Sequence, residues 1–172
     1  MLTIDQETNR KEIALNDDEP AAMLAMIRFL YGLPYEADEP HWHDDKTMLP
    51  HAQVYTVAEK YELENLKVQV HKNMVKLIRV SGDKPDQTDL IETIRQIIET
   101  TPDTDTMARS LVIDHYVHWL PQLSQQSEFI ALLEEHGKLG AAVITAQQAK
   151  LRLVRGRFRS PFQSDSDLSE VF

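Results

Sequence analysis

Leu49-Pro50-His51-Ala52-Gln53-Val54-Tyr55-Thr56-Val57-Ala58-Glu59-Lys60-Tyr61 is the stretch whose reading decides the fold. Leu49, Ala52, Tyr55, Val57, Ala58 and Tyr61 recur at helical spacing and give this segment a broad apolar face. Thr47 stands where a helix cap is wanted, and Pro50 fits a first turn because no backbone donor is needed there. After a break at Glu62, the residues Leu63, Leu66, Val70, Met74, Leu77 and Ile78 mark a longer amphipathic helix reaching about Val80. Two consecutive helices with wide apolar faces need further helices against them.

Upstream, Ile13 and Leu15 alternate with other residues in Lys11–Leu15, as one buried face of a short strand requires. Asn16-Asp17-Asp18-Glu19-Pro20 stops that strand and opens a helix, with acids near the exposed N–H groups and proline in the first turn. Met23, Leu24, Ile27, Leu30 and Tyr31 follow at helical spacing, and Gly32 is suited to the left-handed position that ends a helix. Residues 33–47 hold two prolines and many charges without periodicity, which reads as a loop.

Downstream, residues 81–86 are a turn-rich break. A fourth helix carries Leu90, Ile91, Ile94, Ile97 and Ile98, and Thr101–Asp105 ends it. A fifth is expected from about Thr106 to Leu120, with Pro121 following. The sixth, with Phe129, Ile130, Leu132 and Leu133, is expected to stop at Gly137, and an alanine-rich seventh to run from Leu139 to Lys150 or beyond. From Arg155 the chain turns basic and then Ser/Asp-rich, a composition that predicts a disordered tail.

Composition narrows the function classes. A hydrophobic fraction of 42% supports a packed core in a chain of 172 residues. The net charge of −10 disfavours nucleic acid and anionic lipid as general partners. With no cysteine, disulfides, thiolate metal sites and cysteine nucleophiles are excluded. No run approaches the roughly 20 apolar residues of a membrane span, and the first residues lack the pattern of a signal peptide, so cytosol or nucleus is the expected location. Only five glycines occur, and neither a phosphate-cradling glycine loop nor a Gly-x-Ser-x-Gly turn is present, so no catalytic machinery is expected.

The order of strand, acidic turn, helix ending Leu30-Tyr31-Gly32, loop, and then Leu49–Ala52, Val54-Tyr55, Ala58–Tyr61 and Leu63…Leu66 resembles the BTB/POZ family, and looks most like its filamentous-fungal version. Thr101-Pro102, Leu111-Val112 and Phe129–Glu135 resemble the helices that trail that domain, so the likeness covers roughly residues 4–146. It implies that the helix ending Leu30-Tyr31 packs against the one carrying Tyr55 and Tyr61, beside a lone strand. It also implies protein–protein association: self-pairing, contact with transcriptional regulators, or adaptor service. The family's opening strand pair has no counterpart before Ile13, which would leave helical surface uncovered. The family's cullin-contacting pattern is out of register at Ile4, Asp5 and Glu7, so cullin binding is not expected.

Three clusters carry alternative chemistry. His41-Trp42-His43-Asp44-Asp45 offers zinc or copper ligand types, but no distant His-x-x-x-His pair completes a set, and a solvated loop is the default reading. His115 and His118 share a helical face; one packed near Trp119 and one exposed is the simpler arrangement. Lys150, Arg152, Arg155, Arg157 and Arg159 interleave with Leu153, Val154 and Phe158, which reads as a basic tail folding back on an acidic body.

These readings predict a mainly α chain: a partial BTB/POZ-like helical core over 1–81 with at most one short strand, a helical extension over 87–150, and a tail over 155–172. The expected function is a non-catalytic interaction module without cofactor or metal, binding a protein partner or itself. Ile13, Leu15, Leu30, Tyr31, Tyr55 and Tyr61 are its candidate contact residues. A truncated gene product without independent function, and a metal-binding domain built on His41 and His43, are the alternatives.

Overall fold

The computed structural model describes residues 18–36, 47–80 and 86–157. Among these the chain is mainly helical, with no strand: α1 (Pro20–Leu30), α2 (Leu49–Lys60), α3 (Glu64–Val80), α4 (Gln87–Thr100), α5 (Thr106–Leu123), α6 (Ser127–Glu135) and α7 (Gly137–Arg157). The strand expected around Ile13 and Leu15, the His41–Asp45 segment and the chain from Phe158 onward lie outside the described residues.

The chain forms two compact units, Met1–Arg109 and Ser110–Phe172. The sequence expectation instead placed a break at the turn residues near Gly82, with a helical extension over 87–150. α4 lies beyond that turn and still packs on α2, so the 87–150 segment is divided inside α5. Turn chemistry marks a change of direction, and a domain boundary needs in addition a lack of contacts across it.

In the first unit α2 is the central element, packed by α1, α3 and α4. Its buried residues His51, Ala52, Val54, Tyr55, Val57 and Ala58 occupy more than one face, which is why it accepts three neighbours. α3 adds Leu66, Val70 and Met74, all fully buried, and α4 adds Leu90, Ile91, Ile94 and Ile97. The N-terminus of α2 is not capped by Thr47. Its N-cap is Met48, and the orphan donors are met from another helix: Met48 N donates to Asp89 Oδ2 at 2.8 Å and Leu49 N to Asp89 Oδ1 at 3.2 Å. Asp89 thereby pins α4 to the start of α2. Asp86 caps α4 itself, accepting from Thr88 N at 2.8 Å.

α1 and α2 end in the same way. Leu33 N donates to Arg28 O at 3.0 Å and Gly32 N to Phe29 O at 2.9 Å; Leu63 N donates to Ala58 O at 2.8 Å and Glu62 N to Glu59 O at 3.1 Å. Both are Schellman ends with tyrosine at the C-cap and a left-handed residue next, Gly32 at φ 74° and Glu62 at φ 56°.

In the second unit α6 packs on α7, and Val112, Tyr116, Leu123, Phe129, Leu132, Leu139 and Val143 are buried. α5 does not stop before Pro121 but runs through it to Leu123; the proline sits in the last turn, where Ser124 N still reaches Leu120 O at 2.9 Å. Gly137 opens α7 rather than closing α6, whose last residue is Glu135. α7 extends past Lys150 to Arg157, three residues into the expected tail.

Candidate interaction face

α1 reads Pro-Ala-Ala-Met-Leu-Ala-Met-Ile-Arg-Phe-Leu and carries a single charge, Arg28. A helix this apolar has two candidate inner faces. The structure buries Ala22, Met23, Ala25 and Met26, whose small and flexible side chains let α1 sit close against α2. The face expected inside is therefore the outer one, only Met23 excepted. Leu24 and Ile27 are 41% and 42% exposed, Leu30 59%, Tyr31 81%, and Leu33 beyond the helix end 55%. At about 100° per residue, Leu24, Ile27, Leu30 and Tyr31 fall within roughly 120° of arc. They form one continuous apolar strip.

This strip has a stiff backing. Asp18, just before α1, accepts from Lys60 Nζ and from the Tyr61 hydroxyl, each at 2.9 Å, fastening the start of α1 to the end of α2. Burial acts to raise the Asp18 carboxyl. The hydrogen bonds from Lys60 and Tyr61, with the Lys60 charge, outweigh it and hold the group below the usual carboxylate range.

After α1, Tyr35 turns inward with no exposed surface. Asn73 on α3 donates to its hydroxyl oxygen at 2.9 Å, and that hydroxyl lies 2.8 Å from Nδ1 of His51 on α2. Burial, then the charge of Glu36, pushes the Tyr35 phenol up, so it keeps its proton. Burial alone lowers His51 to about 4. These contacts link α3, the turn after α1 and α2.

A second polar cluster ties α2, α3 and the start of α5. The Tyr55 hydroxyl donates to both oxygens of Asp105, at 3.1 and 2.9 Å. Asp105 also accepts from Met107 N and Ala108 N at 3.0 and 3.3 Å, as a helix N-cap does. Lys67 pairs with Glu59, with Asp105 at 3.4 Å and with Glu64 at 3.5 Å, and its ammonium stands 5.4 Å from the centre of the Tyr55 ring. Burial would lower Lys67, but the Glu59 hydrogen bond and the charges of Asp105, Glu59 and Glu64 raise it instead.

The candidate contact residues thus separate. Leu30 and Tyr31 lie on the bare strip, while Tyr55 is wholly buried and serves the core. Tyr61 is half-buried and committed to Asp18, and Ile13 and Leu15 lie outside the described residues. His115 is half-buried and tilted against Tyr116; burial, then the His118 charge, lowers it to about 4. His118 is exposed, stacks edge-on with Trp119 and has its Nδ1 3.1 Å from Lys150 Nζ, so the packed and exposed roles expected of two histidines fall on one. The sequence reading missed Asp105, Lys67 and Asn73 as partners, and it gave Tyr35 and His51 only as residues matching the family pattern, without their contact. Only Asp105 had a local signal, an aspartate directly before a helical run.

No family model, curated protein or solved structure matches this chain. No helix among the described residues is long and apolar enough to cross a membrane.

Proposed function

We propose that this chain is a non-catalytic protein-association module of the BTB/POZ kind, working in the cytosol or nucleus, whose α1 strip receives a protein partner or a second copy. The observation that carries the reading is the strip itself: Leu24, Ile27, Leu30, Tyr31 and Leu33 in solvent on a helix whose other side is packed. Isolated exposed leucines are ordinary; five adjoining apolar residues with a tyrosine at the rim form the kind of patch that partners cover. The packing of α1 on α2, beside an α2 ending in Ala58-Glu59-Lys60-Tyr61, supports the family likeness. The buried state of His51 and Tyr55 supports a structural duty for the polar clusters, since neither offers a substrate an approach.

Size-exclusion chromatography with light scattering, run with proximity labelling of the expressed chain, tests the reading against Ile27→Asp and Tyr31→Ser. The wild type should show mass above one chain or a defined labelled protein, and both variants should lose it while keeping the wild-type circular dichroism. A folded wild-type monomer whose labelling profile equals that of the variants would defeat the proposal.

A further inference from the structure

α7 has one side that is packed and another that is bare. Leu139 and Val143 are buried, and Lys150 Nζ stands 3.1 Å from His118 Nδ1 on α5. At about 100° per residue these three positions fall within roughly 40° of arc, so this is the side α7 gives to its own unit. Ile144 and Leu151 lie about 20° apart, roughly 110° round the helix from that side, and are 60% and 51% exposed. Val154, 47% exposed, extends the strip at its edge, while Leu153 points away from it. From Ile144 to Leu151 is two helical turns, about 10 Å, the same length as Leu24 to Tyr31 on α1. The molecule thus carries two bare apolar strips of equal reach, one in each unit.

Charge decides what each strip can face. Residues 1–109 hold 12 bases and 21 acids, a net −9, whereas α7 holds 5 bases and no acid, a net +5. Close to the α1 strip the sign is the same as for its unit. Glu19 is exposed at the start of α1, and the Asp18–Tyr61 hydrogen bond brings the end of α2, with exposed Glu62, beside it. Two α7 strips brought together would set base against base, and two α1 strips would set acid against acid. Only the unlike pairing joins apolar surface to apolar surface with opposite charge around it. We propose that Ile144, Leu151 and Val154 of one copy dock on Leu24, Ile27, Leu30 and Tyr31 of a second copy, head to tail. The proposal rests on the α1 strip being a docking face and names its occupant. A contact of this kind uses different surfaces on the two partners, so each copy keeps one strip free and the assembly grows with concentration.

Light scattering of the full chain over a range of concentrations, with two variants alone and mixed, tests it. The wild-type mass should rise with concentration and fall back in high salt, which screens the charge pairing. Ile27→Asp and Leu151→Glu should each weaken assembly by about tenfold or more and run as single chains. Their equimolar mixture should form a two-chain species, because each variant supplies the strip the other has lost. Circular dichroism checks that both keep their helix, and Ile144→Gln replaces Leu151→Glu if it does not. A wild type that stays monomeric at every concentration would overturn the proposal, as would a mixture that stays monomeric. Mass lost in Ile27→Asp but kept in Leu151→Glu would overturn it while leaving the α1 strip a docking face. Mass kept in Ile27→Asp would overturn both.

Discussion

α1 and α2 lie side by side in the first unit, both with proline in the first turn and both ending in tyrosine, a left-handed residue and leucine. Their fates differ. The Tyr61 and Leu63 end is partly covered, with the Tyr61 hydroxyl on Asp18, while Tyr31 and Leu33 stand in solvent. α2 mixes His51, Tyr55, Thr56 and Glu59 into its sequence and is packed by three helices; α1 is almost wholly apolar and leaves a strip bare. Apolar content therefore does not rank helices by burial. α2 is central because its polar groups find partners on its neighbours, and buried polar groups stabilise only when satisfied. α1 has apolar surface to spare, which is the property of an interface.

The largest effect should come from breaking the α2 side of this contrast. Asp105→Ala removes a helix cap, orphans the buried Tyr55 hydroxyl and leaves Lys67 short of one carboxylate, so a loss of about 3 kcal/mol is expected in urea unfolding. A loss below about 1 kcal/mol would mean that the polar cluster does not secure α2. Tyr55→Phe should cost less, since it removes the donor together with its need for a partner.

Acid should act on the same helix through His51. Its folded value is about 4 against an ordinary 6.5, so between these the unfolded chain binds the extra proton. The contribution is complete above pH 6.5 and is lost as pH falls towards 4, by up to roughly 3 kcal/mol for a shift of this size. His115, lowered to about 4 in the second unit, acts in the same direction. Urea midpoints across pH 7 to 4 for the wild type and His51→Gln isolate the share of His51. Equal slopes would remove it from the account.

What was legible beforehand follows from these physics. Helical class and the positions of the seven helices among the described residues could be read, because each carries a repeating apolar pattern over nine or more residues. The inward side of α1 could not: Ala22, Ala25, Met26 and Phe29 keep helical spacing as well as Leu24, Ile27 and Tyr31 do, and periodicity alone does not choose between two apolar faces. Nor could the cross-links. Tyr35 and His51 are 16 residues apart, Tyr55 and Asp105 are 50 apart, and Asp89 reaches Met48 across 41. Such pairs are set by tertiary packing and leave no local trace. The boundary inside α5 was hidden for the same reason, since a continuous helix crosses it.

Smaller effects sharpen the comparison at the two helix ends. Gly32→Ala places a side chain at φ 74° with nothing within 4 Å of its Cβ, so its cost is conformational, about 1 kcal/mol. Glu62→Gly at φ 56° should act in the opposite direction, stabilising by about 0.5 kcal/mol once the looser unfolded chain is set against the relieved backbone. Equal signs for the two would deny that the ends share one geometry.

The smallest expected effect is also the most informative. Tyr31→Ser on the bare strip should shift stability by no more than about 0.5 kcal/mol, because its side chain is 81% exposed, and Ile27→Asn, at a residue 42% exposed, should cost about 1 kcal/mol. Thermal unfolding of the two variants beside Met26→Ala, a neighbour on the packed side for which about 2 kcal/mol or more is expected, measures the asymmetry of one helix directly. If Ile27→Asn cost as much as Met26→Ala, the strip would be interior in solution and the claim of a free face would fall. If instead it costs little yet abolishes association, the apolar surplus of α1 has a use outside its own fold, and the contrast with α2 is one of function as well as packing.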